Sequence, residues 1–557
     1  MKSASQKQLS LSTQETGGQQ IDFPELPKQI LVSEQEFLLF KWEIGYWKSL
    51  FIRTKEREEE LKKQLQEKDG KIRDLTKRLF GKSNEKTNSG KNKRNSKPAI
   101  KPRPRGQQKG SKGHGRTPKP DLAMKDEYID LSPGDKYCPI CGRPYISNGT
   151  EDSEIMEVEV KAHIRRIKRK SYKKTCSCDG VPDYIIAPPA PKVIPKSSYD
   201  ISIWEGVLLN KFLYSQPTIR VLNYYKELGL PISQGTITGG LQKLMPLFKP
   251  VYDALYSYQM SEEIFHNDES GWKVFESVEG KVGNRWWLWV SRSVSVVFFQ
   301  ITPGRGADIP VTHFKNIQKD KIIVVCDRYS AYKSLARQLS FIILAFCWAH
   351  VRRDFLNAAC KYPKLEKWAF MWTDMIGELY HINNKRCQEY DKKLPVQWQS
   401  EDFKQYHCKL VDKMNNMVQK RDDFLGQDFS ELNLLQTIKQ KILISLKNHW
   451  AGLSVFLKFP KVPMDNNAGE RSIRNPVTGR KNYYGSGSIW SSELAAMMFS
   501  IFQTMKLWNL NCNHWLRLYL AQCANNNGKA PADLSPFLPW KMDKDRLHKL
   551  SKPLKIS

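Results

Sequence analysis

The sequence predicts an α/β protein: a mixed five-stranded sheet flanked by helices and interrupted by a helical insertion, with a coiled-coil helix and a small cysteine-bearing module ahead of it. Three features predict this. Five short β-type runs fall between Glu263 and Cys347, the later ones separated by helical stretches. The strand signal then disappears from about Arg353 to Lys458. Two closely spaced cysteine pairs precede the sheet, in a stretch with little else to build a core.

Residues 1–35 are polar and rich in Gln and Ser, and disorder is expected there. Residues 36–80 read as a coiled-coil, zipper-like helix. Trp47, Phe51, Leu61, Leu65, Ile72, Leu75 and Leu79 occupy seven of ten seam positions, with Thr54, Glu58 and Lys68 on the others. A single amphipathic helix packed on its own chain is the alternative. Residues 81–125 form a basic linker too rich in Lys, Asn, Ser, Gly and Pro to bury a core. Residues 126–190 carry the cysteine pairs and close on a Pro-rich run. Residues 191–260 are helical. Within them, a turn at Gly229 and Pro231 followed by a helix capped by Ser233 admits a helix-turn-helix.

The sheet is expected in residues 261–525. EIFHND (263–268), RWWLWV (285–290) and VSVVFFQI (294–301) come in hairpin sequence; IIVVC (322–326) and FIILAFC (341–347) follow, alternating with helices. That order is the one a ribonuclease-H-like fold uses. The insertion is placed at about 356–458, and residues 526–557 read as a basic C-terminal tail.

Composition narrows the partner. Lys and Arg number 89 against 58 Asp and Glu, a net charge of +31. Residues 81–120 hold 13 basic residues and one acid, and residues 161–174 hold eight more with none. Clustered charge of one sign suits a polyanion, because neutralising phosphates releases condensed counterions. Nucleic acid is therefore expected ahead of an acidic membrane surface. The longest clean apolar run, Phe341–Ala349, is nine residues, well short of the roughly 20 that span a bilayer. The polar start has no signal-peptide core, so no membrane association is expected, and the location expected is cytoplasmic.

Cys138 and Cys141 (CxxC) with Cys176 and Cys178 (CxC) can supply four thiolates to one structural Zn²⁺, whose binding energy would replace a missing core. Between the pairs, Arg165, Arg166, Lys168 and Arg169 form a basic segment placed to lie along phosphates. Its alternative is a solvated edge strand protected by charge.

Three acids stand out by context. Asp327 ends a strand expected to be buried on both faces, Asp268 ends the first strand, and Glu470 opens a helix in MDNNAGERSIRN. Such carboxylates suit Mg²⁺ (or Mn²⁺), and two such ions promote in-line phosphodiester displacement. The alternatives are a turn residue (Asp268), a helix cap (Asp327) and an i,i+4 partner of Arg474 (Glu470).

HNDES (266–270), VCDRYSAY (325–332), CWAHVRRDF (347–355) and NNAGERSIRNPVTGRKNYYGSGS (466–488) resemble the DDE transposases of the insertion-sequence-66 class. The likeness runs in order from about residue 36 to 525 and takes in Gly113, His114 and Gly115 of the linker. Ser270 stands where that family usually has Thr. The resemblance implies that Asp268, Asp327 and Glu470 are catalytic, each binding Mg²⁺, and that Arg471, Arg474, Arg480, Lys481, Arg352 and Arg353 contact DNA. His350 is read as structural or DNA-proximal, since Cys347 and His350 alone are too few for a metal site. The expected partners are double-stranded DNA (terminal inverted repeats and target), further copies of the chain as a dimer or larger assembly, and small accessory proteins of the same element. The expected location is a bacterial nucleoid. A catalytically inactive transposase-derived DNA-binding protein and a ribonuclease-H-like nuclease remain the alternatives.

Overall fold

The computed structural model describes residues 33–80, 126–150, 158, 160–175, 179–395, 398–428 and 433–553. The N-terminal stretch to residue 32, the basic linker 81–125, Cys176 and Cys178 lie outside the described residues.

One unit is a single helix, α1 (Glu34–Phe80). Ser33 and Glu36 start it by reciprocal bonding: Ser33 N donates to Glu36 Oε2 at 2.9 Å, and Glu36 N donates back to Ser33 Oγ at 3.3 Å. Trp47, Phe51, Leu61, Leu65 and Ile72 are exposed along it. The side chains of Leu75 and Leu79 lie outside the description. No helix among the described residues is long and apolar enough to cross a membrane.

In the second unit a short 3-10 helix, Pro133–Lys136, precedes an antiparallel strand pair, β1 (Ser171–Lys173) against β2 (Tyr184–Ile186). The helical region follows. Helix Thr218–Glu227 ends at Gly229, whose φ of +82° makes the turn, and Ser233 caps helix Gln234–Gln259 by accepting from Thr236 N at 3.2 Å.

The main sheet contains β3 (Ile264–Lys273), β4 (Arg285–Arg292), β5 (Val297–Thr302), β6 (Ile322–Cys326) and β7 (Ile342–Phe346), in the order β5-β4-β3-β6-β7. The first three pair antiparallel; β6 runs parallel to both β3 and β7. This mixed five-stranded sheet is compatible with a ribonuclease-H-like core. β6 shows why its sequence is uniformly apolar: Ile322, Val324 and Cys326 pack on one side with Phe314, Tyr332 and Leu335, while Ile323 and Val325 pack on the other with Val455 and Val462. Helix Ile489–Leu507 covers the outer strands, with Phe499 against Trp272 and Phe299.

Residues 348–458 hold the helices Trp348–Lys361, Glu366–Gln388, Glu401–Leu425, Leu434–Asn448, Trp450–Leu453 and Val455–Lys458. Two differences from the sequence reading stand out. β3 does not end at Asp268 but runs on to Lys273, because Glu269–Lys273 pair with β4. The C-terminal stretch is packed rather than a trailing tail: Phe537, Leu538 and Leu550 are buried, and helix Lys544–Ser551 follows Asp543, which accepts from Arg546 N at 2.7 Å.

Candidate active site

Strand register places the first two acids. In the parallel β3–β6 pair, His266 lies opposite Val325. Asp268 and Asp327 each stand two residues further on, so by alternation they share one face of neighbouring strands roughly 5 Å apart. It is the face on which Ile264, Ile323 and Val325 pack. Asp268 is mid-strand towards β4, where it faces Val290, yet beyond the end of the pairing with β6. The carboxyl end of a parallel strand pair is thus where the two meet, in the type of crevice where open α/β sheets bind ligands.

Glu470 reaches this face on helix Asn467–Tyr483, which is tied to β3 at both ends. At its start Asn466 is buried. Asn466 Nδ2 donates to the Asn267 carbonyl at 2.7 Å, and Asn466 Oδ1 sits 3.1 Å from His266 Nδ1. Arg292 donates to the Ala468 carbonyl at 3.1 Å. Towards the other end, Arg480 donates to Ser270 Oγ at 3.0 Å and to the Gly271 carbonyl. Beyond it Tyr484 turns left-handed (φ +65°), and Gly485 passes so close to β3 that a Cβ there would lie 2.2 Å from the Lys273 carbonyl oxygen. Ser486 N then donates to that carbonyl at 2.8 Å, and Ser486 Oγ accepts from Trp272 Nε1 at 3.1 Å.

Asp268 feels the charge of the other two acids. Burial first, then the carboxylates of Glu269, Glu470 and Asp327, push Asp268 up to about 7 against the lowering effect of the Glu269 N–H, which donates to Asp268 Oδ1 at 2.9 Å. Asp327 Oδ1 accepts from Tyr329 N at 2.9 Å, just ahead of helix Ser330–Gln338, so one oxygen already does part of a cap's work. Glu470 Oε1 is buried without a hydrogen-bond partner. Its neighbour is His350, whose Nε2 stands 3.9 Å away and whose pKa burial lowers.

An orphaned carboxylate oxygen on Glu470, with Asp268 and Asp327 on the same face and Asp268 driven towards neutrality chiefly by burial, is a donor set that fits hard divalent cations. The three acids are nonetheless not gathered around a single point. Among the described residues, the group of potential ligands whose atoms all lie within 4.8 Å of one another is Cys347, His350 and Glu470.

The basic residues divide by environment. Arg471, Arg474 and Lys481 are exposed, and with Thr478 they trace one face of the Glu470 helix over about 15 Å. Arg480 is half-buried and holds β3. Arg352 and Arg353 are half-buried on helix Trp348–Lys361. Arg165, Arg166, Lys168 and Arg169 are exposed ahead of β1; Arg169 donates to the Ala187 carbonyl at 2.5 Å, and Arg165 lies 3.6 Å from Asp200.

Cys138 and Cys141 flank a tight turn. Gly142 (φ +72°) donates to the Cys138 carbonyl at 2.9 Å, and Cys138 N donates to the Arg143 carbonyl at 2.8 Å. The N–H groups of Cys141 and Ile140 face the Cys138 sulfur and lower its pKa. Such a turn presents a thiolate outward, as a metal knuckle requires.

Several participants carry no local sequence signal. Asn466 reads as a cap but makes no capping bond; it serves as the tie to β3 instead. Glu269 turns to the opposite face of β3, where it accepts from Tyr332 Oη at 2.7 Å and from Arg305 Nη2 at 2.6 Å. Arg305 in turn stacks on Trp287 and Tyr329, with its guanidinium carbon 4.4 and 3.9 Å from the ring centroids.

A family model described as "Transposase IS66 family" matches residues 196–494, which include the helical region, the whole sheet, the insertion and the Glu470 helix. Two curated relatives come from Sinorhizobium fredii (strain NBRC 101917 / NGR234). The uncharacterized protein y4jD is 25% identical over 463 residues, covering 80% of this chain and 84% of its own. The uncharacterized protein y4hP is 24% identical over 441 residues, 76% of each chain.

Proposed function

This chain belongs to the IS66 family of transposases, and we propose that it cuts the ends of its own insertion element and joins the freed 3′ ends to target DNA. The observation that carries the reading is the shared register of Asp268 and Asp327 on neighbouring parallel strands, with Glu470 tied to the same face. These three residues would hold two Mg²⁺ ions (or Mn²⁺), which would supply activation of the attacking oxygen and stabilisation of the leaving one in an in-line displacement. In the first step water attacks the phosphodiester at the element's end, and the 3′-oxygen leaves as a hydroxyl. In the second, that hydroxyl attacks a target phosphodiester and a target 3′-hydroxyl leaves. No bond to the protein forms in either step.

The surrounding residues bind and orient. The stripe of Arg471, Arg474 and Lys481 beside the third acid suits the flanking phosphates, and Arg352 and Arg353 extend the positive field. A zinc-held module of Cys138, Cys141, Cys176 and Cys178, the basic segment 165–169 and the helices of 218–259 would bind the terminal repeats. The exposed apolar residues of α1 would pair protomers and so bring two ends together.

Asp327→Asn, assayed with Mg²⁺ on a duplex ending in the terminal repeat, should abolish nicking and joining while repeat binding stays within a few-fold. Loss of binding as well would make Asp327 structural. Wild-type protein that binds but cuts with neither Mg²⁺ nor Mn²⁺ would be a DNA-binding derivative. Cutting indifferent to the terminal sequence, with no joined product, would mark a nuclease.

A further inference from the structure

We propose that Cys347, His350 and Glu470 form a separate metal site that takes one soft divalent ion of the zinc class beside the carboxylate pocket. One ligand atom from each lies within 4.8 Å of the other two. Around a tetrahedral ion with bonds of about 2.0–2.3 Å, ligand atoms stand roughly 3.3–3.7 Å apart. Small side-chain rotations cover that difference.

The three residues are positioned by the starts of two long helices. Cys347 immediately precedes helix Trp348–Lys361 and His350 lies in its first turn, three residues on, so both project from the same side. Glu470 occupies the first turn of helix Asn467–Tyr483. Backbone bonds lace the two starts together: Trp348 N donates to the Met464 carbonyl at 2.9 Å, and Asn466 N donates to Cys347 Sγ at 3.2 Å. The N–H groups of Ala349 and His350 also face that sulfur. Burial pushes the Cys347 thiol up to about 11 against these three N–H donors, so it is the geometry of the three ligand atoms, with a cation to neutralise the sulfur, that makes the site.

Two polar atoms here lack partners. Glu470 Oε1 and His350 Nδ1 are both buried without hydrogen bonds, which is unfavourable for polar atoms shut off from water. A cation between imidazole, carboxylate and thiolate gives the carboxylate oxygen its counter-charge. The donor set selects the ion: a thiolate with an imidazole suits zinc-class metals, whereas Mg²⁺ prefers oxygen alone. With Oε1 held in this way, the ion fixes the direction of Glu470. The site does not depend on the phosphodiester chemistry proposed above, although it shares Glu470 with it.

Co²⁺ is the probe, titrated into full-length protein freed of metal, in which the N-terminal cysteine quartet takes its own equivalent. The wild type should bind one further equivalent with thiolate-to-cobalt absorption in the near ultraviolet. Cys347→Ser should lose that absorption with its circular dichroism unchanged, and His350→Ala should bind Co²⁺ at least tenfold more weakly. Asp327→Asn should keep the absorption while losing DNA cleavage, so failure of the catalytic reading leaves this result standing. Identical titrations and spectra for wild type, Cys347→Ser and His350→Ala would overturn the site. Should Cys347→Ser unfold, zinc-edge X-ray absorption of the wild type decides: a zinc with one sulfur and several N/O ligands supports the site, and zinc found only with the ligands of the N-terminal quartet refutes it.

Discussion

Asp268→Asn should stabilise the protein in magnesium-free buffer at pH 8 and make almost no difference at pH 4. Burial and three neighbouring carboxylates raise the Asp268 carboxyl from its ordinary 3.8 to about 7. Below pH 3.8 the group is protonated folded or unfolded and costs nothing. As pH rises towards 7 the unfolded chain gives up its proton freely while the folded protein must hold it or accept a repelled charge, so stability falls across that window. A shift of about three units corresponds to a ceiling of ~4 kcal/mol. Asp268 is half-buried rather than sealed, and solvent screening brings the expectation to about 2 kcal/mol. Asn keeps an oxygen to accept the Glu269 N–H, so the substitution removes charge without orphaning a donor. Urea unfolding of both proteins across pH 4–8 measures the difference directly. Added Mg²⁺ should reverse the ranking at pH 8 by stabilising only the wild type. A variant that is less stable than wild type at pH 8 without Mg²⁺, or a gap that does not change with pH, would refute the account of a crowded carboxylate pocket.

Asn466→Ala should cost about 2–3 kcal/mol in chemical denaturation, since it removes the bond to the Asn267 carbonyl inside the protein. It should also lower DNA cleavage more than tenfold while binding is unchanged, because the Glu470 helix loses its tie to β3 at the end that carries the acid. Arg471→Ala combined with Arg474→Ala should weaken binding to all DNA sequences alike and reduce the slope of log affinity against log salt by about 2, measured by fluorescence anisotropy from 50 to 200 mM salt. Cys141→Ser should release bound zinc, read by atomic absorption, and leave the 126–190 module sensitive to protease; unchanged metal content would end the zinc proposal.

The parts legible in sequence were those whose physics is local. IIVVC is apolar throughout because β6 is covered on both faces, and the hairpin of 218–259 announces itself through Gly229 and Ser233. β3 was legible only as far as Asp268. Glu269, Ser270 and Gly271 look like a turn until their partners are known: Tyr332 and Arg305 for Glu269, Arg480 for the other two. β5 starts at Val297 rather than Val294, since Ser293 N donates to the Val296 carbonyl at 2.8 Å and turns the chain before Val297. Nor could spacing show that His350 meets Glu470, because their approach depends on two helix starts being laced together across the insertion. The bonds of Asn466 and Arg480 to β3 span about 200 residues, and no periodicity carries information over such a distance.

The tie between Asn466 and Asn267 joins positions 199 residues apart. Ribosomes add roughly 5–20 residues each second, so about 10–40 s separate the emergence of those two asparagines. For that interval a nascent chain already carries the basic segment 165–169 but has yet to make its third acid, or the helices from Ile489 onward on which the helix Gln234–Gln259 packs. On the function proposed above, a message broken within the insertion would yield a fragment that keeps a basic DNA-binding segment and lacks an acid of the active site.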